Sequence, residues 1–177
     1  DDEKSIVTGG VQLTWLAEPT ENITDNRKAE IRSKETKVSC QWISYSSKGD
    51  LDYAELSGNI TVTQPGKIIK GDYAIYDGAN KNFYLFDNIK VELESIAWLL
   101  KESTKKQMRE KESKKAMNAK TVITGKTLVF NKDSKNLTVS GNVHIDQPEN
   151  EATAGVVYFY NENETLELFN NVYIKKK

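Results

Sequence analysis

A single cysteine, a single histidine and three prolines are spread over 177 residues. One cysteine, Cys40, excludes an internal disulfide and a thiolate metal cluster, and it reads as a small, half-buried hydrophobe. One histidine, His144, cannot supply a catalytic triad or a zinc site from the residues around it. No Gly-x-Ser-x-Gly elbow and no phosphate-cradling glycine loop is present. No run of 18 apolar residues exists, so no segment is read as a membrane-spanning helix. The net charge of −1 gives no general case for nucleic acid as a partner. These absences exclude the common enzyme chemistries. The chain is therefore expected to be a non-enzyme without cofactor or metal.

What is present is repetition. "AELSGNITV" (54–62), "FYLFDNIKV" (83–91), "LTVSGNVHI" (137–145) and "LELFNNVYI" (166–174) are variants of one nine-residue phrase. Apolar residues stand at its first, third, seventh and ninth places. They are Ala54, Leu56, Ile60 and Val62, then Phe83, Leu85, Ile89 and Val91. The later copies supply Leu137, Val139, Val143 and Ile145, then Leu166, Leu168, Val172 and Ile174. Alternation with period two means strands that bury one face. The sixth place holds Asn59, Asn88, Asn142 or Asn171, and a frayed copy, "VTGGVQL" (7–13), has Gly10 there.

Two geometries satisfy this pattern. A three-residue hairpin loop would pair Val139 with Val143 and keep all four apolar residues on one face. A sharp kink in one continuous strand at a sheet corner would do the same. Both need a left-handed backbone residue, for which glycine and asparagine are the tolerated choices. Gly10, Asn59, Asn88, Asn142 and Asn171 are therefore read as structural corners. Asn59 and Asn88 are 29 residues apart, and so are Asn142 and Asn171, which gives repeats of about 30 residues with two strands each. "GKTLVFNKDSKNLTVSGNVHI" (125–145) adds Leu128 and Phe130 to the apolar set. The expected class is all-β, made of stacked antiparallel strands.

The run "LSGNITVTQPGKIIKGDYAIYDGANKNFYLFDNIKV" (56–91) resembles the OstA-like family of periplasmic lipopolysaccharide-transport proteins, LptA and LptC among them. The matching pieces are Gly58-Asn59-Ile60-Thr61-Val62-Thr63-Gln64, Gly71-Asp72-Tyr73-Ala74-Ile75-Tyr76 and Gly141-Asn142-Val143-His144-Ile145-Asp146-Gln147. The match covers 40–92 and 121–174 well and 5–39 poorly. It implies a β-jellyroll folded like a taco around an apolar groove that shields lipid A acyl chains. It also implies a periplasmic location, whether free or held by a membrane anchor upstream. The partners it implies are lipopolysaccharide and other jellyrolls, or further copies of the chain, joined through sheet edges. The groove lining would be Leu56, Ile60, Val62, Phe83, Leu85, Ile89, Val91, Leu128, Phe130 and the apolar residues of the two later phrases.

Residues 93–120 interrupt the repeat and form the expected helical insertion, over 93–118, of what is otherwise one domain spanning 1–177. Ile96, Leu99 and Leu100 fall at helical spacing, and a basic stretch follows. Lys105, Lys106, Arg109 and Lys114 in that stretch are candidates for contact with anionic headgroups or an acidic partner. Two other readings share the strand pattern. One is a β-repeat protein with a sealed core that assembles through its edges without lipid; the other is the soluble domain of an anchored, LptC-like scaffold.

Overall fold

The computed structural model describes residues 3–15, 35–48, 51–96, 115, 117–134, 136–160 and 165–177. They form one antiparallel sheet. In chain order its strands are β1 (Glu3–Trp15), β2 (Thr36–Lys48), β3 (Leu51–Gln64), β4 (Lys67–Asp77) and β5 (Asn82–Leu93). These are followed by β6 (Thr121–Asn131), β7 (Leu137–Asp146), β8 (Asn150–Tyr160), β9 (Thr165–Phe169) and β10 (Tyr173–Lys176). Each strand from β1 to β8 pairs with the next in sequence, so the sheet is a meander without crossovers. Both β9 and β10 pair with β8, as two halves of one interrupted strand.

Tight turns keep successive strands adjacent. Pro65-Gly66 joins β3 to β4, and Gly66 takes φ +75°, the pairing that suits a type II turn. Between β4 and β5 the Asp77 carboxylate accepts from the Asn80 amide side chain at 2.7 Å and from its backbone N–H at 3.2 Å. Asn131 does the same work at the end of β6, where its side-chain Oδ1 accepts from the backbone N–H groups of Asp133 and Ser134. Such side-chain mimics of a backbone turn are why Asn and Asp collect there.

Each strand from β1 to β8 has a corner near its middle. In the odd-numbered strands the bend carries two successive left-handed residues: Gly9-Gly10, Gly58-Asn59, Asp87-Asn88 and Gly141-Asn142. Asn170-Asn171 is the equivalent pair between β9 and β10, and all ten residues have φ between 50° and 89°. The phrase is thus a kinked continuous strand and not a hairpin. Each kink is a bulge: from Phe86 to Ile89 β5 advances three residues while β6 advances two, from Thr127 to Gly125. The same single-residue excess recurs in every other odd strand. Left-handed φ at an exposed Asn gives a clean test. Asn142→Val should lower unfolding free energy in urea by about 1–3 kcal/mol, because a β-branched side chain resists that conformation. Asn142→Gly should stay within about 0.5 kcal/mol of the parent.

The bends fold the sheet into two leaves whose inner faces meet in one apolar cluster. Where the odd strands keep the same inward parity across the corner, the even strands switch it. In β6 the inward residues are Ile123 before the bend and Leu128 after it; in β8 they are Ala154 and Val157. The expected insertion begins later than 93, because Leu93 is the buried last residue of β5. Its two ends are pinned together. The Met117 carbonyl accepts from the Ile96 N–H and from the Ser95 hydroxyl, both at 3.0 Å, and the Met117 side chain is buried. Lys115 and Met117 have helical backbone; residues 97–114 lie outside the described residues.

Candidate functional site

Antiparallel register lines up the inward residues of successive strands in rows across the sheet. In the first leaf one row runs Val7, Ile43, Leu56, Ala74, Leu85, Leu128, Val139, Val157, Leu168. Two residues further from the corners runs a second, more aromatic row: Tyr45, Ala54, Tyr76, Phe83, Phe130, Leu137, Phe159, Leu166. The second leaf contributes Leu13, Val38, Val62, Ile69, Val91, Ile123, Ile145, Ala152, Ile174. No row is broken by a charged residue.

Depth grades the lining residues. Ile60, Leu85, Ile89, Leu128, Val139 and Val143 are almost completely enclosed, and Leu56 and Val91 are buried. Val62, Phe83, Phe130, Leu137, Ile145 and Leu168 are half-buried against that cluster. Leu166 and Ile174 face inward by register, and Val172 lies beside them just before β10; all three are exposed, Ile174 by 68%, and among the described residues no further strand covers them. Glycines at the even-strand corners let the strands approach. A Cβ on Gly71 would stand 2.6 Å from Leu85 Cγ, and one on Gly125 would stand 2.7 Å from Val139 Cγ1.

The periodicity reading missed part of this lining. Val38, Cys40, Ile69, Ala74, Ile123, Ala154 and Val157 belong to it, and all lie on even strands, where the parity switch hides them. Cys40 is buried, and that burial pushes its thiol pKa up. Two polar residues are also deep at the end of the second leaf. Thr36 accepts from the Gln64 side chain at 2.6 Å, and Thr121 accepts from Gln147 at 2.8 Å and donates to the Ala119 carbonyl at 3.2 Å. The two Thr–Gln pairs occupy the same place in separate repeats, each Gln opening a Gln-Pro turn.

The outer faces differ. The second leaf shows Thr61, Lys70, Lys90, Thr124, His144 and Thr153 along one outward row. The first leaf shows aromatic pairs, with Tyr73 stacked on Phe86 at 6.0 Å and Tyr158 edge-on to Phe169 at 5.6 Å. His144 sits on the outer face beside a shallow crevice at the last corner, lined also by Asn142, Thr153, Gly155 and Asn171. Among the described residues no cluster of three metal-binding side chains exists, and no helix is long and apolar enough to cross a membrane. The four basic candidates Lys105, Lys106, Arg109 and Lys114 lie outside the described residues.

Several carboxyls near strand ends and turns are held charged by neighbours. Hydrogen bonds from Tyr45 and Ser47 hold the Asp52 carboxyl below its ordinary range, and those from Asn80 do so for Asp77. Lysines act similarly on Glu92 (Lys90, then Lys120), Asp146 (Lys177) and Glu149 (Lys115). The Tyr53 phenol, which donates to Glu55 at 2.9 Å, is pushed up to about 12. The five carboxyls titrate lower folded than unfolded. Their stabilisation is therefore present above the ordinary values of 3.8 and 4.5 and is lost as pH falls through the depressed ones. Thermal midpoints should stay level from neutral pH to about 5 and decline below that; because these groups are solvent-exposed, the decline should be gradual.

A bent antiparallel meander with an apolar interior, whose first and last strands have no further strand beside them among the described residues, defines a folded-sheet β-jellyroll. No family model matches the sequence, and no curated protein does. Among solved structures the chain is similar to LptH of Pseudomonas aeruginosa, the LptA-homologous periplasmic component of the lipopolysaccharide transport device. Identity is 10% and the TM-score is 0.50, over 71% of this chain and 84% of that one. The chain has the LptA-like jellyroll fold that the repeated phrase implied.

Proposed function

We propose that this protein is a periplasmic component of a lipopolysaccharide transport bridge, holding acyl chains between its leaves and joining other jellyrolls through its sheet edges. In this role it is a carrier and not an enzyme, and it needs no cofactor. The observation that carries the reading is the set of inward apolar rows that cross the whole sheet and emerge exposed at both ends. Each acyl methylene left in water costs about 0.8 kcal/mol, so a lipid in transit needs apolar lining at every step. Likeness to LptH supports the same role. The leaves part at the mouth, where Phe83, Phe130, Leu137 and Ile145 are half-buried. The corner residues Ile60, Ile89 and Val143 stay packed as the floor.

Exposed edges support the docking half of the reading. Among the described residues no strand covers the outer side of β1 or of β9 and β10. Several of their apolar residues are open to solvent, with Val7 at 52% and Ile174 at 68%. Soluble proteins generally protect such edges; a bridge uses them.

The test is a photoreactive residue placed at Phe130 or Leu168 in protein made by a lipopolysaccharide-producing bacterium. Mass spectrometry should find a lipid adduct at these inward sites and none at the outward-facing Thr138. Absence of lipid at every inward site would instead favour a sealed-core protein that assembles through its edges. Charge reversal at Lys105, Lys106, Arg109 and Lys114 together should weaken binding to lipopolysaccharide micelles at low ionic strength. Unchanged binding there would remove the basic segment from the site.

A further inference from the structure

We infer that the free edge of β1 is shaped for an antiparallel strand of the opposite corner type, supplied by a different jellyroll and not by a second copy of this chain. The inference rests on the edge-docking reading above and specifies its partner.

Two kinds of corner alternate across the sheet. The bulged kind, in β1, β3, β5, β7 and the β9–β10 strand, has two left-handed residues and one residue more than its neighbours. The plain kind, in β2, β4, β6 and β8, has no positive φ within the strand. Every ladder in the sheet joins one kind to the other. Alternation is a packing requirement, because adjacent corners interlock. Gly58 of β3 lies under the Gln41 side chain of β2, where a Cβ would stand 2.8 Å from Gln41 Cβ. Gly141 of β7 lies under Lys126 of β6 in the same way, at 2.7 Å from Lys126 Cβ. In both cases a plain strand sets a long side chain over the first left-handed glycine of the bulged strand that follows it.

Gly9 is the corresponding glycine of β1, at φ +89°, and a Cβ there would meet nothing within 4 Å. The same corner that is covered at Gly58 and Gly141 is therefore presented bare at the sheet edge. A plain-corner strand arriving antiparallel would continue the alternation and set a Gln- or Lys-like side chain over Gly9.

A second copy presents nothing of that kind. Its other free edge, β9–β10, is also bulged, and in an antiparallel meander it runs in the same direction as β1. Head-to-tail stacking would therefore bring parallel strands together. A two-fold pairing of β1 with β1 would be antiparallel but would set two bulges opposite each other, an arrangement found nowhere in this sheet.

The test uses the full chain and two dye-labelled peptides of similar length. One copies plain strand β6 (residues 121–131) and the other copies bulged strand β7 (residues 137–146). Fluorescence anisotropy should show the β6 peptide binding at least about tenfold tighter. Gly9→Gln, which fills the bare corner, should remove that preference. Sedimentation should find the chain alone without self-association at the same concentrations. Equal or reversed peptide preference, or self-association as tight as peptide binding, would overturn the corner-type inference while leaving edge docking intact. Binding of neither peptide would overturn both.

Discussion

Leu85→Ala is expected to lower the unfolding free energy by about 2–5 kcal/mol, measured in urea with an unchanged slope. Leu85 has no exposed surface and lies in register between Ala74 and Leu128, with Gly71 close above it. Truncation removes buried methyl groups at a place where two strands and a glycine corner already fix the backbone, so little collapse can fill the space. Ile174→Ala is the matched control: it faces the same interior by register but is 68% exposed, and should change stability by no more than about 0.5 kcal/mol. The contrast bears on function. Leu85 belongs to the floor that holds the leaves together, whereas Ile174 is available to a partner without any rearrangement.

Gly71→Val should be at least as harmful as a typical overpacking change, which costs about 1–3 kcal/mol. An added Cβ would stand 2.6 Å from Leu85 Cγ, closer than two carbons can approach, and the β-branch adds more bulk at the same spot. The two sites share one space, so their effects should not add. Combining Gly71→Ala with Leu85→Ala should cost less than the sum of the two single changes, because the truncated leucine vacates the volume that the new methyl needs. Additive losses in that double-mutant cycle would show that the corner yields elsewhere.

Period two and a recurrent Asn carried much of the architecture in plain view. The phrase around Asn142 specifies a strand with one apolar face, because Val139, Val143 and Ile145 stand an even number of positions apart, and Gly141-Asn142 between them mark a corner. That this turn is a bulged kink could not be read from it, since a hairpin with three loop residues places the same side chains alike. The difference is made by hydrogen bonding to neighbours: β7 continues along β6 and β8 on both sides of the corner. The parity switch was equally invisible. Ile123 and Leu128 are both inward, yet they stand five positions apart, so alternation followed from Leu128 assigns Ile123 to the outside. Only a bulge in each flanking strand brings the two onto one face.

Thr36 and Thr121 make the same point for polar residues. By themselves they look like strand surface; each is buried, and a glutamine at or just past the end of the neighbouring strand reaches its hydroxyl. An unpaired hydroxyl at that depth would be costly, and the pairing is a tertiary fact.

By itself, the sequence determined that this protein is a stack of one-sided strands with corners at Gly10, Asn59, Asn88, Asn142 and Asn171, and that it carries one cysteine and one histidine. The first follows from local physics, the period of a strand and the left-handed backbone that Gly and Asn tolerate. The tertiary structure alone decided which apolar residues form the floor and which stay half-open. It also decided that both free edges carry the same corner type. Those properties depend on how one strand's extra residue shifts the register of the next, and register is set between strands, where no single stretch of sequence can record it.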